Sequence, residues 1–208
     1  MTPRDFALLA QEAYSAVPDI GKADSASRAI VRQTAAGLCI AFPGTDNADC
    51  FEADFDIEPI DVPGVGKFHR GFWEAWQAIS VPVLAAIKGQ PVTLVGHSLG
   101  SSIAIAAAAE MTASGNPPVA VFGFEPPRVS PDLSIRTLLA KVPVHLYCNG
   151  LDIVPSLPPG WHHAALLTHI GKPALPIPNV VDHQIARVIN ALSSGVPAYP
   201  LVILPVAR

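Results

Sequence analysis

Residues 92–100 read Val92-Thr93-Leu94-Val95-Gly96-His97-Ser98-Leu99-Gly100, and the fold follows from how this stretch must bend. The first four are β-branched or aliphatic and predict a short buried strand. The next five form G-x-S-x-G, and Ser101 to Met111 continue as a long apolar helical pattern. A serine held in a sharp strand-to-helix turn needs small residues two places before and two after it, so that strand and helix can approach. Gly96 and Gly100 meet that need. A bare G-x-S-x-G arises by chance in many chains, and alone it reads equally well as an ordinary glycine-rich turn. The strand before it and the helix after it make Ser98 a candidate nucleophile.

The same alternation extends outward. Upstream, residues 71–86 predict a helix, with Phe72, Trp76 and Ile79 on one stripe and Pro82 as a kink. Downstream lie a strand over 118–124, a helix over 131–140 opened by Ser130 as cap, and a strand over 142–148. A last helix is predicted over 181–192. Helices alternating with strands call for a mostly parallel sheet covered by helices on both faces, an α/β fold. Nearer the N-terminus, strands over 27–34 and 37–42 pair as a hairpin. Thr2, Pro3 and Asp5 offer a cap, a first-turn proline and a third-position carboxylate for a helix that starts the chain. Residues 57–62 read as an edge strand interrupted by Pro59.

Composition bounds the function. The 208 residues suit one domain, 1–208. Half of them are hydrophobic and 14% charged, enough apolar material for a core on both sides of a sheet. The net charge is −4 and lysines and arginines do not cluster, which argues against a nucleic-acid partner. The longest membrane-like run, Leu99 to Ala109, is closed by Glu110, far short of the roughly 20 apolar residues that span a bilayer. The first fifteen residues lack the apolar centre of a signal peptide, so the chain is expected to be cytoplasmic or released without a standard signal. Cys39, Cys50 and Cys148 form no even framework and read as reduced, structural residues. The seven histidines show no H-E-x-x-H pattern, so neither a metal nor another cofactor is expected. Oligomeric state is left open by the sequence.

A serine hydroxyl is a weak nucleophile at neutral pH and needs an imidazole base, itself held by a carboxylate. In open α/β sheets, reacting groups gather at the carboxyl ends of the strands. Asp152, just past the strand over 142–148, is the natural acid there. Glu125, after the preceding strand, is its rival, with a rim carboxylate or an ion pair to Arg128 as the plainer reading. Asp182 adjoins a candidate histidine too closely to brace it. For the base, His162, His163, His169 and His183 all lie downstream. His183 is favoured because a helix N-terminus keeps an imidazole neutral, which suits a base.

Together these segments resemble the class 3 lipases, the family of fungal triacylglycerol lipases and feruloyl esterases. Phe42-Pro43-Gly44-Thr45 resembles the family's F-R-G-T/S, and Phe68-His69-Arg70-Gly71-Phe72 its V-H-x-G-F. Gly96 to Gly100 is its G-H-S-L-G. Phe122-Gly123 with Pro127-Arg128-Val129 resembles F-G-x-P-R-V, and Asp152-Ile153-Val154-Pro155 resembles D-x-V-P. Asp182-His183 resembles the D-H pair near the C-terminus. Each motif is weak alone; six in the right order are specific.

The resemblance implies an α/β-hydrolase fold and a serine carboxylic-ester hydrolase acting on a small-molecule or lipid ester. Ser98 would be the nucleophile, Asp152 the acid and His183 the base, with Thr45 and the Leu99 N–H holding the oxyanion. His69 and His169 match structural positions. Three departures stand out. Ser101 replaces the last glycine of G-H-S-L-G-G and is expected to crowd the helix; Pro43 replaces an arginine; and residues 122–129 run a residue or so longer than the pattern. Acyl transfer to an alcohol, or ligand binding without turnover, are the rival uses of such a chain, although a binding module has no need of an ordered triad. The lid of these enzymes follows the oxyanion turn. Here Asp46 to Asp54 reads DNADCFEAD, too acidic to enter a lipid surface, so short-chain or soluble esters are expected.

Overall fold

The N-terminal helix α1 (Pro3–Ser15) begins with a reciprocal cap: the Asp5 N–H donates to Thr2 Oγ1, and the Thr2 N–H donates to Asp5 Oδ2. It belongs to a computed structural model that describes residues 1–45, 57–176 and 178–194. The chain continues through β1 (Ile20–Gly21), β2 (Arg28–Thr34) and β3 (Gly37–Phe42), of which β2 and β3 form the expected hairpin. After β4 (Pro59–Val62), β5 (Gly66–His69) and α2 (Arg70–Ile87) come β6 (Val92–His97) and α3 (Leu99–Ala113). The rest is β7 (Ala120–Phe124), α4 (Ser134–Leu138), β8 (Val144–Asn149), β9 (Leu167–Ile170) and α5 (Ile185–Ser193). Among the described residues no helix is long and apolar enough to cross a membrane.

The main sheet has the order β1-β2-β3-β6-β7-β8-β9. From β3 to β9 every neighbouring pair is parallel, and only β2 runs the other way, antiparallel to both β1 and β3. Side chains alternate between two cores, as the period of a strand requires. Leu38, Ile40 and Phe42 of β3 and Val92 and Leu94 of β6 face α2 and α3. Cys39, Ala41 and Val95 face α1 and α5. Helix α3 is buried on all sides, from Ser101 to Ala109, because it lies between the sheet and α2. Its run of alanines lets both neighbours come close, while Trp76 and Phe42 fill the space beside them edge to face.

Several elements differ from expectation. The helix expected from residue 131 starts at Ser134, because Ser130 is held in a backbone bridge to His162 and Asp132 accepts the Ser134 N–H instead. The strand read over 57–62 is β4, and it pairs with β5 in a separate ribbon rather than at the edge of the main sheet. Strand β9 escaped the sequence reading. Pro82 sits inside α2, which runs through it without interruption. The segment Asp46 to Asp54, with Cys50 in it, lies outside the described residues; Cys39 and Cys148 are free and buried.

Two stretches beyond the strands, 150–153 and the described residues 171–176 and 178–184, meet at the carboxyl end of β8, and Asp182 ties them together. Its side chain has no exposed surface. Its carboxylate accepts the Leu151 N–H at 3.1 Å, the Ala174 N–H at 3.0 Å and Asn179 Nδ2 at 3.0 Å, and pairs with Arg187 at 3.0 Å. Gly150 makes room for it, since a Cβ there would lie 2.3 Å from Asp182 Oδ2. These contacts draw residues 181–184 out of the predicted last helix, which starts at Ile185. Burial pushes the Asp182 carboxyl up, but its backbone and side-chain donors outweigh burial and hold it below the usual 3.8. A carboxyl with a lowered folded pKa stabilises above its unfolded value, and that contribution is lost as pH falls through the folded one. Asp182→Asn is therefore expected to cost about 1–3 kcal/mol at neutral pH and to flatten the decline in melting temperature below about pH 4. A melting series from pH 7 to pH 3 checks this; an unchanged neutral melt would contradict it.

Candidate active site

Ser98 ends β6 in a backbone conformation of φ 56° and ψ −127°, which a non-glycine residue adopts only under strain costing on the order of 1–3 kcal/mol. Its neighbours enforce it. A Cβ on Gly96 would lie 2.2 Å from the Gly100 carbonyl oxygen, and one on Gly100 would lie 2.1 Å from that of Phe42. Both glycines are therefore demanded by contact with backbone, and the second clamps the start of α3 against the end of β3. The Ser98 N–H donates to Phe124 O at 2.9 Å, pinning the turn to β7. Ser101 does not crowd the helix as expected: its hydroxyl lies 2.8 Å from Gly96 O and 2.9 Å from Phe124 O, and its proton ties β6 to β7.

Thr45 follows Gly44, whose backbone packs against Ser98, and Leu99 is the next residue along the chain. Phe42 pairs in register with Gly96, so the turn after β3 passes beside the serine. A Cβ on Gly44 would meet Ser98 Cβ at 2.9 Å, which makes glycine the residue that lets Thr45 follow so closely. Leu99 is the first residue of α3, and the N–H at that position has no carbonyl one turn behind it to bind. It is free to donate outward.

His183 reaches the site from the loop before α5. Its Nδ1 is 2.6 Å from Asp152 Oδ2, and both side chains are almost wholly buried. The carboxylate can only accept, so Nδ1 carries the proton and Nε2 is left as the basic nitrogen. Asp152 is held in turn by the Val154 N–H at 3.1 Å. His97 places His183 next to the elbow: its ring lies 4.8 Å from the His183 ring, and its Nε2 is 2.7 Å from the His183 carbonyl. That carbonyl only accepts, so His97 Nε2 is the donor and Nδ1 accepts from the Tyr14 hydroxyl at 2.6 Å. Burial, then the neighbouring His183, hold the His97 pKa well below the usual 6.5, so the ring stays neutral. Tyr14 and His97 were not read as site residues from the sequence. The available signal for His97 is its place in G-H-S-L-G, beside Ser98.

Glu125 is fully buried behind this pair. Its backbone has φ 51°, and its Oε1 accepts the Asn149 N–H at 2.6 Å. Aligned on Pro127-Arg128-Val129, the F-G-x-P-R-V pattern puts its glycine where Glu125 stands, and the positive φ fits that register. The segment then has the pattern's own length, which corrects the expectation of extra residues. Glu125, Asp152 and His183 each offer a ligating atom within 4.8 Å of the others. Yet His183 Nδ1 is already committed to Asp152 at a hydrogen-bond distance, so the group suits shared protons better than a cation.

The other histidines lie elsewhere. His162 is taken up in the bridge to Ser130, and His163 Nε2 contacts Pro155 O at 2.8 Å, with burial pushing its pKa down to about 4. His169 sits on β9 beside Cys148, and His69 stacks on Phe72 at 4.0 Å. Among the described residues only His183 shares a hydrogen bond with Asp152.

The family model described as Lipase (class 3) matches residues 39–161, more than half of the chain. The secreted mono- and diacylglycerol lipase A of Penicillium cyclopium is 25% identical over 145 residues, covering 65% of this chain and 47% of that protein. The secreted mono- and diacylglycerol lipase 1 of Fusarium solani is 30% identical over 115 residues, covering 50% of this chain and 34% of that protein. The chain thus spans about half the length, or less, of these relatives. The Rhizomucor miehei triacylglyceride lipase superposes with a TM-score of 0.69 at 20% identity, over 87% of this chain and 91% of that one, which identifies the fold as α/β-hydrolase. Both curated relatives are named as secreted, which overturns the expectation of a cytoplasmic chain. By the family match the chain belongs to the class 3 lipases.

Proposed function

We propose that the chain, acting as one domain, is a serine carboxylic-ester hydrolase that works through an acyl-enzyme. The observations that carry this reading are the buried His183–Asp152 pair, 2.6 Å apart, and the His183 ring 4.8 Å from that of His97, the residue before the strained Ser98. The relatives' names, lipases for mono- and diacylglycerols, support the same class of substrate.

In this mechanism Ser98 Oγ attacks the ester carbonyl and its proton passes to His183 Nε2. Asp152 keeps the proton on Nδ1 and stabilises the imidazolium that forms. The carbonyl oxygen, now an oxyanion, is held by the Leu99 N–H and by Thr45 through its hydroxyl or N–H. Each such donor is worth about 10²- to 10³-fold in rate. The alcohol leaves with the proton from His183. Water then attacks the acyl carbon while giving a proton to the same nitrogen, and the acid is released as that proton returns to Ser98 Oγ.

The substrate reading rests on Asp46 to Asp54, whose four carboxylates among nine residues favour short-chain or soluble esters over an emulsion. A solvated acidic loop with no lid function gives the same preference.

Ser98→Ala is expected to abolish ester hydrolysis while leaving the thermal melt nearly unchanged, since it removes one oxygen and no core volume. His183→Ala should fall to the same residual rate, because triad members act as a unit and their losses do not add. His169→Ala should keep most of its activity; a dead, folded His169→Ala beside an active His183→Ala would reverse the assignment. On tributyrin, the rate should rise smoothly through the solubility limit. A sharp jump there, or preference for long-chain triglyceride, would show the acidic-segment argument to be wrong.

A further inference from the structure

The carboxyl group of Glu125 has no role in the mechanism above, yet it is buried beside Asp152 and His183. Its side chain is wholly enclosed, and its Oε1 already accepts the Asn149 N–H at 2.6 Å. Its Oε2 is equally buried and meets no donor among the described residues. The polar group beside it is a second carboxyl, that of Asp152, in the cluster whose Glu, Asp and His atoms lie within 4.8 Å of one another. Two carboxylates cannot share such an enclosed space without a cation between them, so one holds a proton. Asp152 is poorly suited to be the one, because its two oxygens already accept from His183 Nδ1 and from the Val154 N–H. Glu125 has one oxygen engaged and one left over.

We propose, resting on the hydrolase reading, that Glu125 is a positioning residue: its carboxyl stays un-ionised and donates its proton to Asp152, fixing the carboxylate that orients His183. The surroundings agree. Burial, then the charge of Asp152, push the Glu125 carboxyl well above the usual 4.5, and Asp182 adds to the effect. The other titratable groups facing it are His183, paired with Asp152, and the Cys148 thiol, which burial keeps protonated. The position also carries a backbone conformation that a glycine would adopt more easily, and the family pattern has glycine there. Glycine would relieve that conformation and leave Asp152 without its donor.

The test compares Glu125→Gly with Glu125→Gln on p-nitrophenyl butyrate, after checking that both fold. Glu125→Gly should lose about tenfold or more in kcat, the rate equivalent of one hydrogen bond to a charged group, with KM little changed. Glu125→Gln, whose amide N–H replaces the donor, should restore most of that loss. The wild type should also lose activity at alkaline pH, as Glu125 ionises beside Asp152, and Glu125→Gln should lack that limb. Glu125→Gln as impaired as Glu125→Gly, or Glu125→Gly with full kcat, would overturn the proposal. A second readout needs no turnover: the infrared spectrum of the wild type at pH 7 should contain the carbonyl band of an un-ionised carboxylic acid, absent from Glu125→Gln. Absence of that band in the wild type also overturns it. If the wild type shows the band but hydrolyses no ester, the hydrolase reading fails and the protonated Glu125 stands.

Discussion

A single hydrogen bond, 2.6 Å from His183 Nδ1 to Asp152 Oδ2, has to be held between two segments with almost no regular structure of their own. Much of the polar interior at this end of the sheet serves that purpose. Asp182 gathers donors from Leu151, Ala174, Asn179 and Arg187; Asn149 Nδ2 donates back to Asp182 O at 3.0 Å; and Asn179 Oδ1 accepts the Asp182 N–H at 2.7 Å. Buried polar groups are costly unless satisfied, and once satisfied they fix one arrangement of the loops. The neighbouring histidine of the Asp-His pair is thus braced by its predecessor indirectly, through the loop, rather than by a direct bond.

The serine is held by the opposite means. Around Ser98 the constraint is steric: Gly96 against Gly100, Gly100 against Phe42 and Gly44 against Ser98 all place main chain where a side chain would otherwise stand. The strain in the elbow persists because α3, buried on every side, and the parallel strands on both sides of β6 leave the turn nowhere to relax. Three chain segments distant in sequence therefore meet at one point, and the turn that leads into Thr45 inherits its position from the same contacts.

This division explains what could be read from the sequence. The elbow, the parallel sheet, the β2–β3 hairpin and the capped α1 were legible because each depends on local spacing: glycines at fixed offsets, apolar periods, and Thr2 three residues before Asp5. The order of motifs also pointed to Ser98, Asp152 and His183. What stayed hidden depends on contacts between distant segments. Ser130 has the look of a cap but is recruited by His162, and residues 181–184 have helical periodicity but are taken up by Asp182. Tyr14 bonds a histidine eighty-three positions away. Glu125 reads as a rim carboxylate until the structure buries it behind Asp152, because no local pattern distinguishes a solvated acid from an enclosed one.

The central claim is that Ser98 is the nucleophile, activated by His183 in its pair with Asp152. It is tested most directly by treating the folded protein with a fluorophosphonate and mapping the modified peptide. The account predicts one labelled residue, Ser98, with labelling lost in His183→Ala. Modification at another residue, or none in the wild type, would contradict it.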